Sequence, residues 1–157
     1  MAERPGFDMN RLSMGSKGLL GTGIVLLIAL FLPWQSVDVG FGIGDVSRNG
    51  FNGLGVIVGI LVIGLIVWEG MLAAGVSIGT GGTAPAMISV YDGAAASVLT
   101  VIHFLLRLDF VSFGAFIGLI AALAMAYATW VRYHEARMGG RAAPPPAPPM
   151  PPPPPAV

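Results

Sequence analysis

Residues 18–37, GLLGTGIVLLIALFLPWQSV, carry no charge between Lys17 and Asp38. Twenty residues at about 1.5 Å each make about 30 Å of helix, which matches the hydrocarbon core of a bilayer. Two further intervals pass the same test. Twenty uncharged residues separate Arg48 from Glu69, ending in GILVIGLIVW, and 22 separate Asp109 from Arg132. These intervals predict membrane-spanning helices over 18–37, 51–70 and 110–131.

A fourth span is less direct, because only 14 uncharged residues lie between Asp92 and Arg107. That is the length of an interfacial or re-entrant piece. To cross, the helix must begin near Ala86 and run to 107, which puts Asp92 about 9 Å along its axis. The alternative makes Asp92 the N-cap of a shorter helix whose first turns hold Gly93 and the alanines at 94–96. Positive charge bears on the choice. Arg4, Arg11 and Lys17 precede the first span and Arg132, Arg137 and Arg141 follow the last, with Arg48 and Arg107 in the intervening outer loops. That bias places both ends in the cytoplasm, and two ends on one side require an even number of spans. The loop over 71–85 has no positive charge and adds nothing to the orientation.

The expected architecture is therefore all-α: an antiparallel four-helix transmembrane bundle in the cell membrane over 18–137. A cytoplasmic segment, 1–17, precedes it and a disordered proline-rich tail, 138–157, follows. Composition agrees, since 55% of the 157 residues are hydrophobic and 10% charged, against roughly 25% charged in soluble domains. Eight basic and eight acidic side chains cancel, so no overall field favours nucleic acid. No cysteine is present, which removes disulfides and thiolate chemistry. A cleaved signal peptide is the competing reading of the first span, but Leu32-Pro33-Trp34-Gln35-Ser36-Val37 has no small-residue cleavage site. Trp34 reads instead as an interfacial anchor at the outer face, with Trp68 and Trp130 near the inner ends of their helices. The tail holds 10 of the 13 prolines and suits a solvated polyproline II segment.

Ionisable residues at membrane depth are the first place to look for function, because an unpaired charge there costs at least about 2.5 kcal/mol on insertion scales. Ser97, Thr100, His103 and Arg107 are spaced by three, three and four residues, a polar stripe on one side of the third helix. His103 has the chemistry of a proton relay, its unperturbed pKa being about 6.5; the alternative is a neutral imidazole hydrogen-bonded to a neighbouring helix. Glu69 and Asp92 fall at comparable inner depths, either lining a shared aqueous vestibule or simply resting at the headgroup boundary. Arg107 and Asp109 read as a solvated turn.

Small residues bring membrane helices together. Gly114, Gly118, Ala122 and Ala126 recur every fourth residue, and Gly55 and Gly59 repeat the spacing in the second helix. They pack either within one chain or between two copies.

Catalytic motifs are absent. His134-Glu135 does not continue as H-E-x-x-H, and no phosphate-binding G-x-x-x-x-G-K-[ST] occurs. Gly53-x-Gly55-x-x-x-Gly59 lies inside a span. His103 and His134 fall on opposite sides of the membrane, which disfavours zinc. No cofactor and no enzymatic activity are expected.

Leu32-Pro33-Trp34 closing the first helix, Gly50-Phe51 opening the second, Phe104-Leu105-Leu106-Arg107-Leu108 ending the third and a basic segment after the fourth together resemble the small uncharacterised four-helix membrane proteins of high-GC actinobacteria. The resemblance covers about residues 15–137 and implies a cell-membrane protein without implying an activity. Two functions fit the residues. One is a scaffold or accessory subunit acting through helix contacts, self-association and capture of a cytoplasmic partner by the tail, although the tail also reads as a passive spacer. The other is a small oligomeric transporter or channel using the stripe on helix three.

Overall fold

The computed structural model describes residues 8–38, 45–76, 79–109 and 111–139. The readings placed on residues 1–7, on the loop tip at 39–44 and on the proline-rich tail from 140 lie outside the described residues. The described chain is mostly helical: α1 (Met14–Phe31), α2 (Leu54–Ala73), α3 (Pro85–Leu105) and α4 (Phe113–Gly139). A 3-10 turn, Met9–Arg11, precedes α1, and two strands, β1 (Pro33–Asp38) and β2 (Asp45–Asn49), connect α1 to α2. All four helices are long and apolar enough to cross a membrane.

The ends of α1 correct the expected 18–37. Ser13 is the N-cap, its hydroxyl accepting the Ser16 N–H at 3.2 Å, so helix begins four residues before the uncharged run. Lys17 sits in the first turn, exposed, where its long stem carries the charge outward. At the other end Pro33 has no N–H for the ladder and disfavours helical backbone in the residue before it. Leu32 is accordingly extended (φ −73°, ψ 160°). Residues 33–37, expected to be helix, become strand.

That strand adds a two-stranded hairpin to the mostly helical fold. β1 pairs antiparallel with β2, Gln35 opposite Arg48, Ser36 opposite Ser47 and Val37 opposite Val46, and the register breaks between Pro33 and Gln35. The break is at Trp34, whose side chain leaves the ribbon and enters the bundle. Trp34 is 1% exposed, and its indole N–H donates to the Ala29 carbonyl at 2.8 Å, an acceptor in the last turn of α1 that also takes the Leu32 N–H at 3.1 Å. It is a core residue, not the interfacial anchor expected. Backbone bonds fix the hairpin to the helices: Gly50 N–H to Leu30 carbonyl, 2.8 Å, and Ser112 N–H to Trp34 carbonyl, 2.9 Å.

α2 is displaced three residues from the expected 51–70, because the chain reaches it through Gly53 at φ 60°, a left-handed backbone that favours glycine. Glu69 consequently lies a full turn inside the helix. α3 starts with Pro85 in its first turn after an extended Ala84, a favoured use of proline, so Asp92 is interior to the helix and does not cap it. It ends at Leu105, leaving Arg107 in the following turn. α4 continues to Gly139, eight residues past the expected 131, since Arg132 and Glu135 end an apolar stretch without ending a helix.

Consecutive helices run antiparallel. α1 packs on α2 and most extensively on α4, α3 packs on the same two, and α1 and α3 lie across the diagonal. The core joins Leu19, Leu26 and Leu30 of α1, Val58, Val62 and Leu65 of α2, Ala96 of α3 and Ala115, Ala121, Met125 and Ala128 of α4 around Trp34. Truncation of Trp34 to Ala is expected to cost about 3–5 kcal/mol, read as a lower unfolding midpoint in mixed micelles. A loss under about 1 kcal/mol would contradict its place in the core.

Candidate functional site

Polar side chains gather at both ends of the bundle. At the hairpin end His103, 2% exposed, places its ring 5.0 Å from that of Trp34 and beside the Gly50 backbone, while its Nε2 has no hydrogen-bond partner. Ser97 and Thr100 lie below it on the buried face of α3. Their hydroxyls donate to the Gly93 and Ala96 carbonyls at 2.8 and 2.7 Å, the back-bonding that serine and threonine adopt within helices. The stripe therefore faces the protein interior, and two of its hydroxyl donors are used by their own helix.

Arg107 stands apart from that stripe. Its Nη1 donates to Gln35 Oε1 at 2.9 Å and its Nη2 to the Asn52 carbonyl at 3.3 Å, while Gln35 Nε2 donates to the Asp109 carbonyl at 3.2 Å. One guanidinium thus ties the turn after α3 to β1 and to the approach to α2. The solvated-turn reading is corrected: sequence spacing could not show that Gln35 would be brought opposite.

At the other end Glu69 is fully buried, 0% exposed, with neither carboxylate oxygen hydrogen-bonded. Asp92 is half-buried on the α2–α3 flank, its Oδ2 3.9 Å from where a Cβ on exposed Gly64 would stand. The expected shared vestibule is not formed, because Glu69 faces the core and Asp92 a flank.

A second arrangement at this end was not legible from spacing. Glu135 of α4 accepts the Gly15 N–H at 3.1 Å and a hydrogen bond from the Ser13 hydroxyl, and Arg132 Nη1 donates to Ser13 Oγ at 2.8 Å. Arg132 and Glu135 also form an ion pair at 3.7 Å. A carboxylate from one helix thereby satisfies one free amide at the N-terminus of another, where the helix dipole favours negative charge. The serine before α1 was a visible capping signal; its partner 122 positions away was not.

Four of the small residues are occupied within the chain. A Cβ added to Gly118 would collide with the Trp34 indole, one on Gly114 with the Pro33 carbonyl and Leu32, one on Gly59 with the Phe51 ring and one on Gly55 with the Gly50 carbonyl. Ala122 is buried, whereas Ala126 is exposed and lines a depression between α3 and α4. The α4 stripe is therefore spent mainly on receiving the hairpin. Among the described residues no three His, Cys, Asp or Glu side chains gather as metal ligands. No protein-family model, curated protein or solved structure matches the chain.

Glu135→Ala is expected to lower stability by roughly 1–2 kcal/mol, the range of a lost cap with charge-assisted bonds, and to speed hydrogen exchange at the Gly15 amide. Glu135→Gln should lose less. Unchanged exchange at Gly15 in the alanine variant would show that the clasp is not formed.

Proposed function

We propose that the chain is a multi-pass protein of the cell membrane with both termini in the cytoplasm, acting as a helix-packing scaffold or accessory subunit. Support for insertion comes from four helices of spanning length whose outer faces carry large apolar side chains, among them Ile60, Phe116, Ile120 and Leu123. Side chains of that kind are stable facing lipid and would form an aggregating surface in water. The kinship with small actinobacterial four-helix membrane proteins is part of the same proposal.

The observation that carries the accessory reading is where the free space lies. In the hairpin half the bundle axis is filled by Trp34 and apolar side chains, and the Ser97 and Thr100 hydroxyls are turned onto their own backbone, which favours binding over passage through one protomer. Outside, a groove runs between α1 and α4 as two continuous apolar depressions of about 370 and 270 Å³ that share Thr22 and Ala124. Gly18, Gly21, Ala121 and Ala124 keep its floor low, the relief that admits another helix at close range.

In this reading the occupant of the groove is a helix of a membrane partner, and the tail adds cytoplasmic contact. A bulky wedge, Gly21→Trp or Ala124→Trp, is expected to abolish co-purification of the partner cross-linked from the groove while leaving the unfolding midpoint within about 0.5 kcal/mol, as surface changes do. Proteoliposomes of the purified chain are expected to pass no ions above protein-free vesicles. Flux that is lost in His103→Ala would overturn the proposal in favour of an oligomeric transporter.

A further inference from the structure

Of the six buried side-chain polar atoms without a hydrogen-bond partner among the described residues, five lie at the end of the bundle away from the hairpin: both Glu69 oxygens, Ser89 Oγ, Thr129 Oγ1 and Arg132 Nε. Contacts set their levels. Gly23 of α1 stands beside Ile66 of α2, and Gly93 of α3 stands against both Leu19 and Thr129. Antiparallel counting from Gly23 and Ile66 brings Glu69 level with Leu20, one residue from Leu19. Ser16 lies one turn from Leu20, and Ser89 one turn from Gly93, about 6 Å along each axis. Each helix therefore contributes one buried polar residue to this stretch of core: Ser16, Glu69, Ser89 and Thr129.

An ionised carboxylate buried without a partner costs up to tens of kcal/mol in a low-dielectric medium, so this layer calls for a positive charge beside Glu69. The charged groups nearby are otherwise engaged or turned away. On α4, Arg132 holds Ser13 and pairs with Glu135 through Nη1, its Nε being left without a partner, and His134 and Arg137 are exposed. Tyr133 lies under the Arg137 guanidinium. On α1 Lys17 is exposed, and on α3 Asp92 faces the flank and Tyr91 is exposed. Arg11, in the turn before α1, reaches Asp8. No ion pair among the described residues includes Glu69.

We propose that this layer binds one monovalent alkali cation, sodium-like in size, on the Glu69 carboxylate, with the Ser89 and Thr129 hydroxyls as further oxygen ligands. Two observations favour that class. All the unpartnered ligand atoms are oxygens, the donors that hard cations take. There is one carboxylate, so one positive charge leaves the layer neutral, whereas a divalent ion would leave a net charge buried. The inference goes beyond the accessory role and does not rest on it, since the layer lies inside a single bundle.

The test uses the full chain in lipid nanodiscs, with its thermal midpoint followed in sodium, potassium or choline chloride at one ionic strength and from pH 5.5 to 8. A ligand bound only by the folded state raises the midpoint with its concentration. An alkali-ion site gives a midpoint several degrees higher in sodium than in choline. A midpoint that changes with pH but shows no difference between sodium and choline overturns the site. The expected difference between sodium and choline should vanish in Glu69→Gln, which keeps shape without charge, and weaken in Ser89→Ala/Thr129→Val, which keeps the charge. A wild-type midpoint insensitive to both cation and pH would overturn the site, as would identical responses in wild type and Glu69→Gln. Should Glu69→Gln not fold, an undiminished response in the double variant overturns it equally.

Discussion

The fold depends on the seating of one indole. Pro33 stops α1, the chain turns back, and Trp34 drops into the space above the helices, with its N–H on the Ala29 carbonyl and its ring against Gly118 and Gly50. Burial of an aromatic of this size contributes on the scale of a few kcal/mol. Its second effect is geometric. Because Trp34 is fixed, β1 leaves the bundle at a defined angle, Gln35 meets Arg107, and Ser112 bonds to the Trp34 carbonyl as α4 begins. The hairpin, the end of α3 and the start of α4 are thus positioned by one side chain and the two glycines that make room for it.

The opposite end is held by polar means. There the Ser13, Arg132 and Glu135 clasp closes the seam between α1 and α4, while Glu69 and its hydroxyl neighbours occupy the interior above it. The hairpin end combines apolar packing around Trp34 with the Arg107 bonds to Gln35 and Asn52, so each end carries one charge-assisted tie between elements distant in sequence.

Much of the helical framework was legible in the sequence, since charge-free runs of spanning length depend only on composition. Their ends were legible only where a residue with a strong backbone preference stood there. Pro33 and Pro85 mark real boundaries, whereas Lys17, Glu69 and Arg132 interrupt apolar runs without interrupting helix. The hairpin was missed because its strands are short and flank a glycine-rich stretch that reads as loop. At the site level the sequence offered Glu69 and His103 as polar residues in apolar spans. It could not give the face each one occupies, nor the partners of Arg107 and Glu135, which come from distant positions and meet only when four helices pack. Trp34 was assigned to the lipid interface because tryptophan near a helix end usually lies there; the two glycines that receive it are remote in sequence.

The proposed topology has four crossings, with the hairpin outside and both termini inside. A chain without cysteine permits single cysteines at Ser47 on β2, Asp109 after α3, Thr83 before α3 and Met138 at the end of α4, each labelled from outside intact cells with an impermeant maleimide. Labelling at Ser47 and Asp109, with Thr83 and Met138 reactive only after permeabilisation, is the expected result. Labelling of Thr83 and Met138 from outside with Ser47 protected would reverse the orientation, and labelling of Asp109 and Thr83 from the same side would mean that α3 does not cross.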